Sequence, residues 1–270
     1  MEEPIYADLH VHTPNSDGEI TLEEIPTAAA KAGLSAVAIT DHDRTHPELD
    51  SPFGRIDGID VIHGIELRVE VGSLSERIDL LGYGVTESPA LRAELDRLQA
   101  DRKKRGAQIV ELVENELEIA LDIEIQDGVG RPHIARAIDA HPDTDLSYQD
   151  AFDELIADDG PCFVPREVPS FETGLELLSE ACGIVSLAHP YRYDAFKGVL
   201  ELAPRLDAVE CRYPYSDSNT ASRSDLDVRT VERHDLLITS GSDAHGKQLG
   251  KAGLTEPEYE RLRDVGGFSV

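Results

Sequence analysis

The chain has 270 residues, 40% of them hydrophobic, enough for one large domain or a domain with an insertion. Its 54 acidic residues against 25 basic ones give a formal net charge of -29. That balance excludes broad affinity for duplex nucleic acid, which needs basic surface to neutralise phosphates. No apolar run approaches the length that spans a bilayer, and the N-terminal stretch MEEPIYADLH lacks the basic and apolar regions of a signal peptide. The expectation is a cytoplasmic protein. Cys162, Cys182 and Cys211 are odd in number and form no C-x-x-C pair, so neither a disulfide framework nor a thiolate zinc site is indicated.

In chain order, Ile5 to Val11 reads as a strand. A helix is expected over Leu22 to Ala32, with Thr21 as N-cap, Glu24 at the capping-box position and Gly33 as its stop. Ser35 to Thr40, Asp60 to Leu67 and Arg77 to Tyr83 read as further strands. Ala90 to Leu121 is a long, charged helical stretch that Gly106 is expected to interrupt, and Arg131 to Ala140 and Tyr148 to Ala157 read as helices. Beyond them, strands at Ile184 to Ala188, Ala208 to Arg212 and Leu236 to Thr239 alternate with helices at Phe171 to Cys182 and Ala195 to Leu202. Strands alternating with helices predict an α/β fold built on a parallel sheet or barrel. The helical segment from about Ser88 to Pro165 breaks that rhythm and reads as an insertion.

Five of the strands end in histidine or acid. His10 and His12 stand two apart on one strand, so both face the same side, and Asp17 follows in a loop. Thr40-Asp41-His42-Asp43 follows the second strand, and Gly64-Ile65-Glu66 ends the third. Ala188-His189-Pro190 and Ser242-Asp243-Ala244-His245 follow two later strands. In α/β barrels and open sheets the C-terminal strand ends form the active face. Packed together without a cation, these groups would carry a large desolvation and repulsion cost. The metal-ligand candidates are therefore His10, His12, Asp17, His42, Glu66, His189, Asp243 and His245. Mixed imidazole and carboxylate donors suit Mn, Zn or Fe, and eight candidates point to two or three divalent ions rather than one tetrahedral site. Close-spaced ions lower the pKa of a bound water and clamp both oxygens of a phosphoryl centre. His63, His141 and His234 have no motif around them and are left structural; His46 stays open.

The order of these motifs (H-x-H, D-H, the Glu66 strand end, A-H-P and S-D-A-H) resembles the polymerase-and-histidinol-phosphatase (PHP) superfamily over nearly the whole chain. Within it the chain is most similar to the nucleotide phosphatase and exoribonuclease branch, which carries an insertion with a segment like Gly130-Arg131-Pro132-His133-Ile134-Ala135-Arg136. The resemblance implies a distorted (β/α)7 barrel over residues 1–87 and 166–270 and a helical insertion over 88–165 covering the active site. It implies one ion on His10, His12, Glu66 and Asp243, a second on Asp17, His42 and His245, and a third on Glu66 and His189. The family adds a histidine to the third site; the matching position here is Asp79. Arg131 and His133 match the family's substrate-phosphate contacts, and Arg192 is a weaker candidate of that kind.

The activity so implied is hydrolysis of phosphate monoesters of nucleotides by a metal-bound hydroxide, on a 3′,5′-nucleoside bisphosphate or short RNA 5′ ends. His189 or His245 is the candidate acid. Histidinol-phosphate phosphatase and a non-catalytic metal-binding module are the alternatives. The partner expected is a small phosphorylated molecule, with no membrane and no oligomeric state specified.

The acidic residues are spread along the chain rather than gathered in a tail, which fits a surface adapted to a cytoplasm of high salt, where screening removes most self-repulsion. On that reading the melting temperature rises steadily from dilute buffer to molar KCl. Full stability in dilute buffer, measured by the same melts, rules the reading out.

Overall fold

The computed structural model describes residues 4–215 and 224–268; the first three residues of the N-terminal stretch lie outside it. By contact the chain divides into two units, one formed by residues 1–92 and 168–270 and the other by residues 93–167.

The first unit is a sheet whose principal path has seven strands in the order β1 (Ala7–Val11), β2 (Ala36–Ile39), β4 (Ile59–Val71), β5 (Glu76–Tyr83), β6 (Ile184–Leu187), β7 (Ala208–Arg212) and β8 (Leu237–Ser240). A short strand, β3 (Phe53–Ile56), pairs with β4 off this path. The sheet curls until its ends meet. Val11 bridges Ala244, just past β8, through His12 N–H to Ala244 O (3.0 Å) and Ala244 N–H to His10 O (3.1 Å). The result is a nearly closed, distorted α/β barrel. Inside it, Ser186 and Thr239 hydrogen-bond through their hydroxyls at 2.7 Å, although β6 and β8 are separated by β7.

The expectation of a parallel sheet is corrected in part. β1–β2, β2–β4, β6–β7 and β7–β8 are parallel, whereas β4–β5 and β5–β6 are antiparallel. The cause is local. β4 runs to Val71, four residues beyond the expected end, and a tight turn returns the chain directly as β5, with Leu74 N–H bonded to Val71 O at 3.0 Å. No helix intervenes, so the crossover that parallel pairing requires is missing.

Helix α1 (Ile25–Ala32) starts three residues later than expected because residues 22–24 form a turn, with Glu24 N–H on Thr21 O at 3.0 Å. Its stop is as read, with Gly33 left-handed at φ 75°. Helices α5 (Phe171–Ala181) and α6 (Phe196–Leu200) follow the expected pattern; α7 (Ser224–His234) and α8 (Glu256–Gly266), like β3, were not anticipated. Leu9, Ala38, Ile62, Leu81, Ile184 and Tyr259 belong to one buried apolar cluster of this unit.

Helix α2 (Pro89–Leu117) begins in the first unit and continues into the second. It runs through Gly106 without interruption, which overturns the expected break. A Cβ at Gly106 would lie 3.0 Å from Val129 Cγ1, so the glycine serves close packing rather than termination. In the second unit α2 packs with α3 (Arg131–Asp139) and α4 (Tyr148–Glu154) through Ile109, Val113, Ile134, Ile138 and Ile156. Among the described residues no helix is long and apolar enough to cross a membrane.

His63, on β4, is buried and its Nε2 accepts the His46 backbone N–H at 3.1 Å. Burial, and then the neighbouring His46, pushes its imidazole down to about 4. Between that value and the ordinary value of about 6.5 the unfolded chain binds a proton that the folded chain does not. Stability is therefore complete above the upper limit and falls as the pH drops through the window. His63→Gln keeps an acceptor and removes the titration. Urea unfolding across this pH range is expected to lose a slope worth roughly 3 kcal/mol at its acid end; an unchanged slope contradicts the assignment.

Candidate metal centre

The eight candidate ligands all lie in the first unit; seven stand at or beyond the C-terminal ends of β1, β2, β6 and β8, whereas Glu66, expected to end its strand, lies within β4, which runs on to Val71. His10 and His12 leave the end of β1 fully buried, with ring centroids 5.1 Å apart. His42 follows β2. The chain there continues alongside β4, with Asp43 N–H on Glu66 O at 2.8 Å and Glu66 N–H on Asp41 O at 3.1 Å, and this pairing sets His42 beside Glu66. His189 follows β6, and Asp243 and His245 follow β8. His189 and Asp243 hold left-handed backbones, φ 24° and 47°, a strained state for residues with a Cβ that clusters at functional sites. Gly241 lets the β8 end approach β1: a Cβ there would stand 2.3 Å from His10 Cβ.

Glu66 is the hub. Its Oε1 lies 3.0 Å from His189 Nε2 and 3.4 Å from His10 Nε2, and its Oε2 lies 2.7 Å from His42 Nδ1 and 3.5 Å from His12 Nε2. Asp243 Oδ1 is 3.0 Å from His12 Nε2 and 3.5 Å from His10 Nε2. Asp17 Oδ1 is 3.4 Å from His245 Nε2 and 3.8 Å from His42 Nε2. Burial alone would raise Glu66, but the His42 and His10 imidazoles hold it well below the usual carboxylate range. Burial opposes a charge on His10, yet Glu210, Asp243 and Glu66 more than reverse this and raise it well above its ordinary value. His245 is lowered, by burial first and by His12 next.

Four sets of donor atoms each fall within 4.8 Å of one another: His12, Asp17, His42 and His245; His10, His12 and Glu66; His10, His189 and Asp243; and Glu66, Asp79 and His189. Across these sets the buried His10 Nε2, His12 Nδ1, Glu66 Oε2 and His189 Nδ1 have no hydrogen-bond partner. Buried nitrogen and oxygen atoms gathered this closely, some of them left without a hydrogen-bond partner, fit donors that share a cation. Their chemistry, imidazole with carboxylate, suits Mn, Zn or Fe. In the fourth set the Asp79 carboxylate also has another partner. Arg68, opposite Asp79 on β4, places its Nε 2.7 Å from Asp79 Oδ1 and its Nη2 2.6 Å from Oδ2.

Three buried acids that were not among the ligand candidates hold this arrangement in place. Asp41 accepts from Thr13 N–H (2.8 Å), the Thr13 and Ser16 hydroxyls (2.8 and 2.7 Å) and Asn15 Nδ2 (3.0 Å), fixing the loop that carries Asp17. Asp8 accepts from Ser242 and Gly250 N–H at 2.8 Å each, tying the loop of Asp243 and His245 to β1. Glu210, on β7, has one oxygen 3.1 Å from His10 Nδ1 and accepts His189 N–H on the other at 2.8 Å. Glu210 lies within β7 rather than at its end, and no motif marks it in the sequence. On the far side of Asp243, Oδ2 accepts from Arg192 Nη1 (3.0 Å) and the Tyr213 hydroxyl (2.8 Å), so Arg192 lies against a candidate ligand.

Arg131 and His133 belong to the second unit. Arg131 opens α3 and donates to Ile156 O (3.0 Å) and Asp158 Oδ1 (2.6 Å), and His133 Nδ1 accepts Gly130 N–H at 3.2 Å. Arg105 in the same unit is pulled down to about 9, by burial and then by Arg131, Arg166 and Arg102. Guanidinium groups are thus crowded in one place on a strongly acidic chain.

A carboxylate behind a ligating imidazole fixes the ring and its basicity, and its loss typically costs 10–100-fold in metal affinity. Glu210→Gln keeps the volume and an acceptor for His189 N–H. It is expected to weaken Mn binding by roughly that factor with an unchanged circular dichroism spectrum; equal affinity in a competitive chelator titration contradicts the role.

Residues 8–157 match the PHP domain. The chain is 29% identical over 258 residues to a 3′,5′-nucleoside bisphosphate phosphatase of Chromobacterium violaceum, covering 90% of this chain and 88% of that protein. It is 27% identical over 252 residues to a phosphoribosyl 1,2-cyclic phosphate 1,2-diphosphodiesterase of Eggerthella lenta, covering 89% of this chain and 94% of that protein. It is 28% identical over 253 residues to the 5′-3′ exoribonuclease Rnm of Salmonella typhimurium, covering 88% and 84%. The fold is shared with a solved structure from Bifidobacterium adolescentis described as a candidate metal-dependent phosphoesterase, at a TM-score of 0.79 and 23% identity over 98% of each chain. With the fold, the strand-end motifs and more than half of the sequence in agreement, the chain belongs to the PHP-domain family.

Proposed function

We propose that this chain, a PHP-family hydrolase of phosphoric esters, removes phosphate from small nucleotides: 3′,5′-nucleoside bisphosphates or short RNA 5′ ends. The observation that carries the reading is the convergence of His10, His12, His42 and His189 on the buried Glu66 carboxylate. The three curated relatives described above act on phosphate esters of nucleotides, RNA or a sugar, which supports the same substrate class here.

His10, His12, Glu66 and Asp243 would hold one divalent ion, and Asp17, His42 and His245 another. When bound, such ions supply Lewis acidity and lower the pKa of a coordinated water. The protein's own part is positioning and charge. Asp243 turns Oδ1 toward the imidazoles because Arg192 and Tyr213 hold Oδ2. The Arg192 guanidinium, about half exposed at 49%, offers further N–H donors to phosphate oxygens, for which a planar fork is suited. Arg131 and His133 remain candidates for a phosphate contact, a role that the crowding of Arg102, Arg105, Arg131 and Arg166 favours.

The test is a substrate panel with added Mn: nucleoside 3′,5′-bisphosphates, 5′-phosphorylated short oligoribonucleotides, a ribose 1,2-cyclic phosphate and histidinol phosphate. Nucleotide substrates are expected to lead. His42→Ala and Asp243→Ala are expected to lower kcat/KM by at least about 100-fold. Full activity in either variant, or preference for histidinol phosphate, would falsify the assignment.

A further inference from the structure

Asp79 sits where a third ion would draw a ligand, alongside Glu66 and His189. Its side chain is 1% exposed, and its backbone N–H donates to the Tyr193 hydroxyl at 2.8 Å. Both of its carboxylate oxygens face the Arg68 guanidinium, at 2.7 and 2.6 Å. The pair is set by register: Arg68 on β4 lies directly opposite Asp79 on β5, and Arg68 is two residues from Glu66, on the same face of the strand. His189 Nε2 stands 3.0 Å from Glu66 Oε1 but 3.8 Å from Asp79 Oδ2. The imidazole is thus drawn to Glu66, while the Asp79 carboxylate is taken by a bidentate fork.

We infer that Arg68 supplies, as a fixed guanidinium, the positive charge that a third ion would bring, and that the centre holds two ions. This rests on the metal-centre reading above. A dication on Asp79 would stand close to a permanently charged guanidinium, in a buried site where like charges are weakly screened. Arg68 also balances the Asp79 charge through two short contacts whether or not metal is present. Asp79 is then a structural anion for Arg68 and not a ligand. The guanidinium stays fixed beside Glu66 and His189, where it cannot dissociate as an ion can.

The experiment is anomalous diffraction at the manganese edge from crystals of the full chain grown in excess Mn, counting peaks within the cluster. Two peaks are expected for the wild type and for Asp79→Asn, and three for the double variant Arg68→Met/Asp79→His, which removes the guanidinium and inserts an imidazole. Three peaks in the wild type overturn this inference and leave the metal-centre reading standing. Fewer than two overturn both. A folded double variant that keeps two peaks shows that the Arg68–Asp79 pair does not set the count. If the double variant does not fold, the wild-type count decides alone.

Discussion

The structure turns on one constraint: a carboxylate, Glu66, is buried at the mouth of the barrel and must stay ionised. Burial of an isolated carboxylate is costly enough that the group would normally take up a proton instead. Glu66 escapes that outcome because His10, His12, His42 and His189 arrive from the ends of three other strands within 3.5 Å of its oxygens. Three features of the sheet deliver those four histidines. The i, i+2 spacing on β1 delivers two, the extension of β2 along β4 delivers His42, and the left-handed residue after β6 delivers His189. The barrel is therefore organised around one charge as much as around its apolar core.

Around this hub the structure uses a second set of acids that do not face the donors but hold the backbones carrying them. Asp41 gathers four donors from the Thr13–Ser16 loop, and Asp8 joins the β8 loop to β1. Hydrogen bonds to a charged acceptor contribute about 1.5–3 kcal/mol each, so these loops are rigid for local reasons. Rigidity of this kind places side chains to within the tolerance that a ligand cluster demands. It also explains why an active face can be assembled from loops of ordinary length, with no disulfide among them.

The strand ends were legible in the sequence because strong β-forming runs such as Ala36–Ile39 and Ile184–Leu187 stop one or two residues short of His189 and His42, and direction and position along a strand are local properties. The antiparallel β4–β5 pair was not legible. An apolar run does not say whether the next run returns by a turn or by a helix, and β4 proved longer than its most apolar part. Gly106 misled for a similar reason: a glycine that ends a helix and one that admits a neighbour look alike until Val129 is seen against it. The Arg68–Asp79 pair depends on register, which no single strand encodes. Asp79 was noticed as a departure from a pattern, but its partner could be found only once the two strands were aligned. Glu210 was missed because it sits within a strand whose apolar residues drew the reading, although its position on β7 parallels that of Glu66 on β4.

The closure of the barrel has its own consequence. His12 and Asp243 are joined by a contact at 3.0 Å between residues 231 positions apart, and the backbone bridge from Val11 to Ala244 lies beside it. The seam of the barrel and its chemistry are thus one place. Bringing together ends so far apart in the chain carries an entropic cost that the contacts at the seam offset. Whatever fastens His12 to Asp243 works like a clasp on the whole β-cylinder.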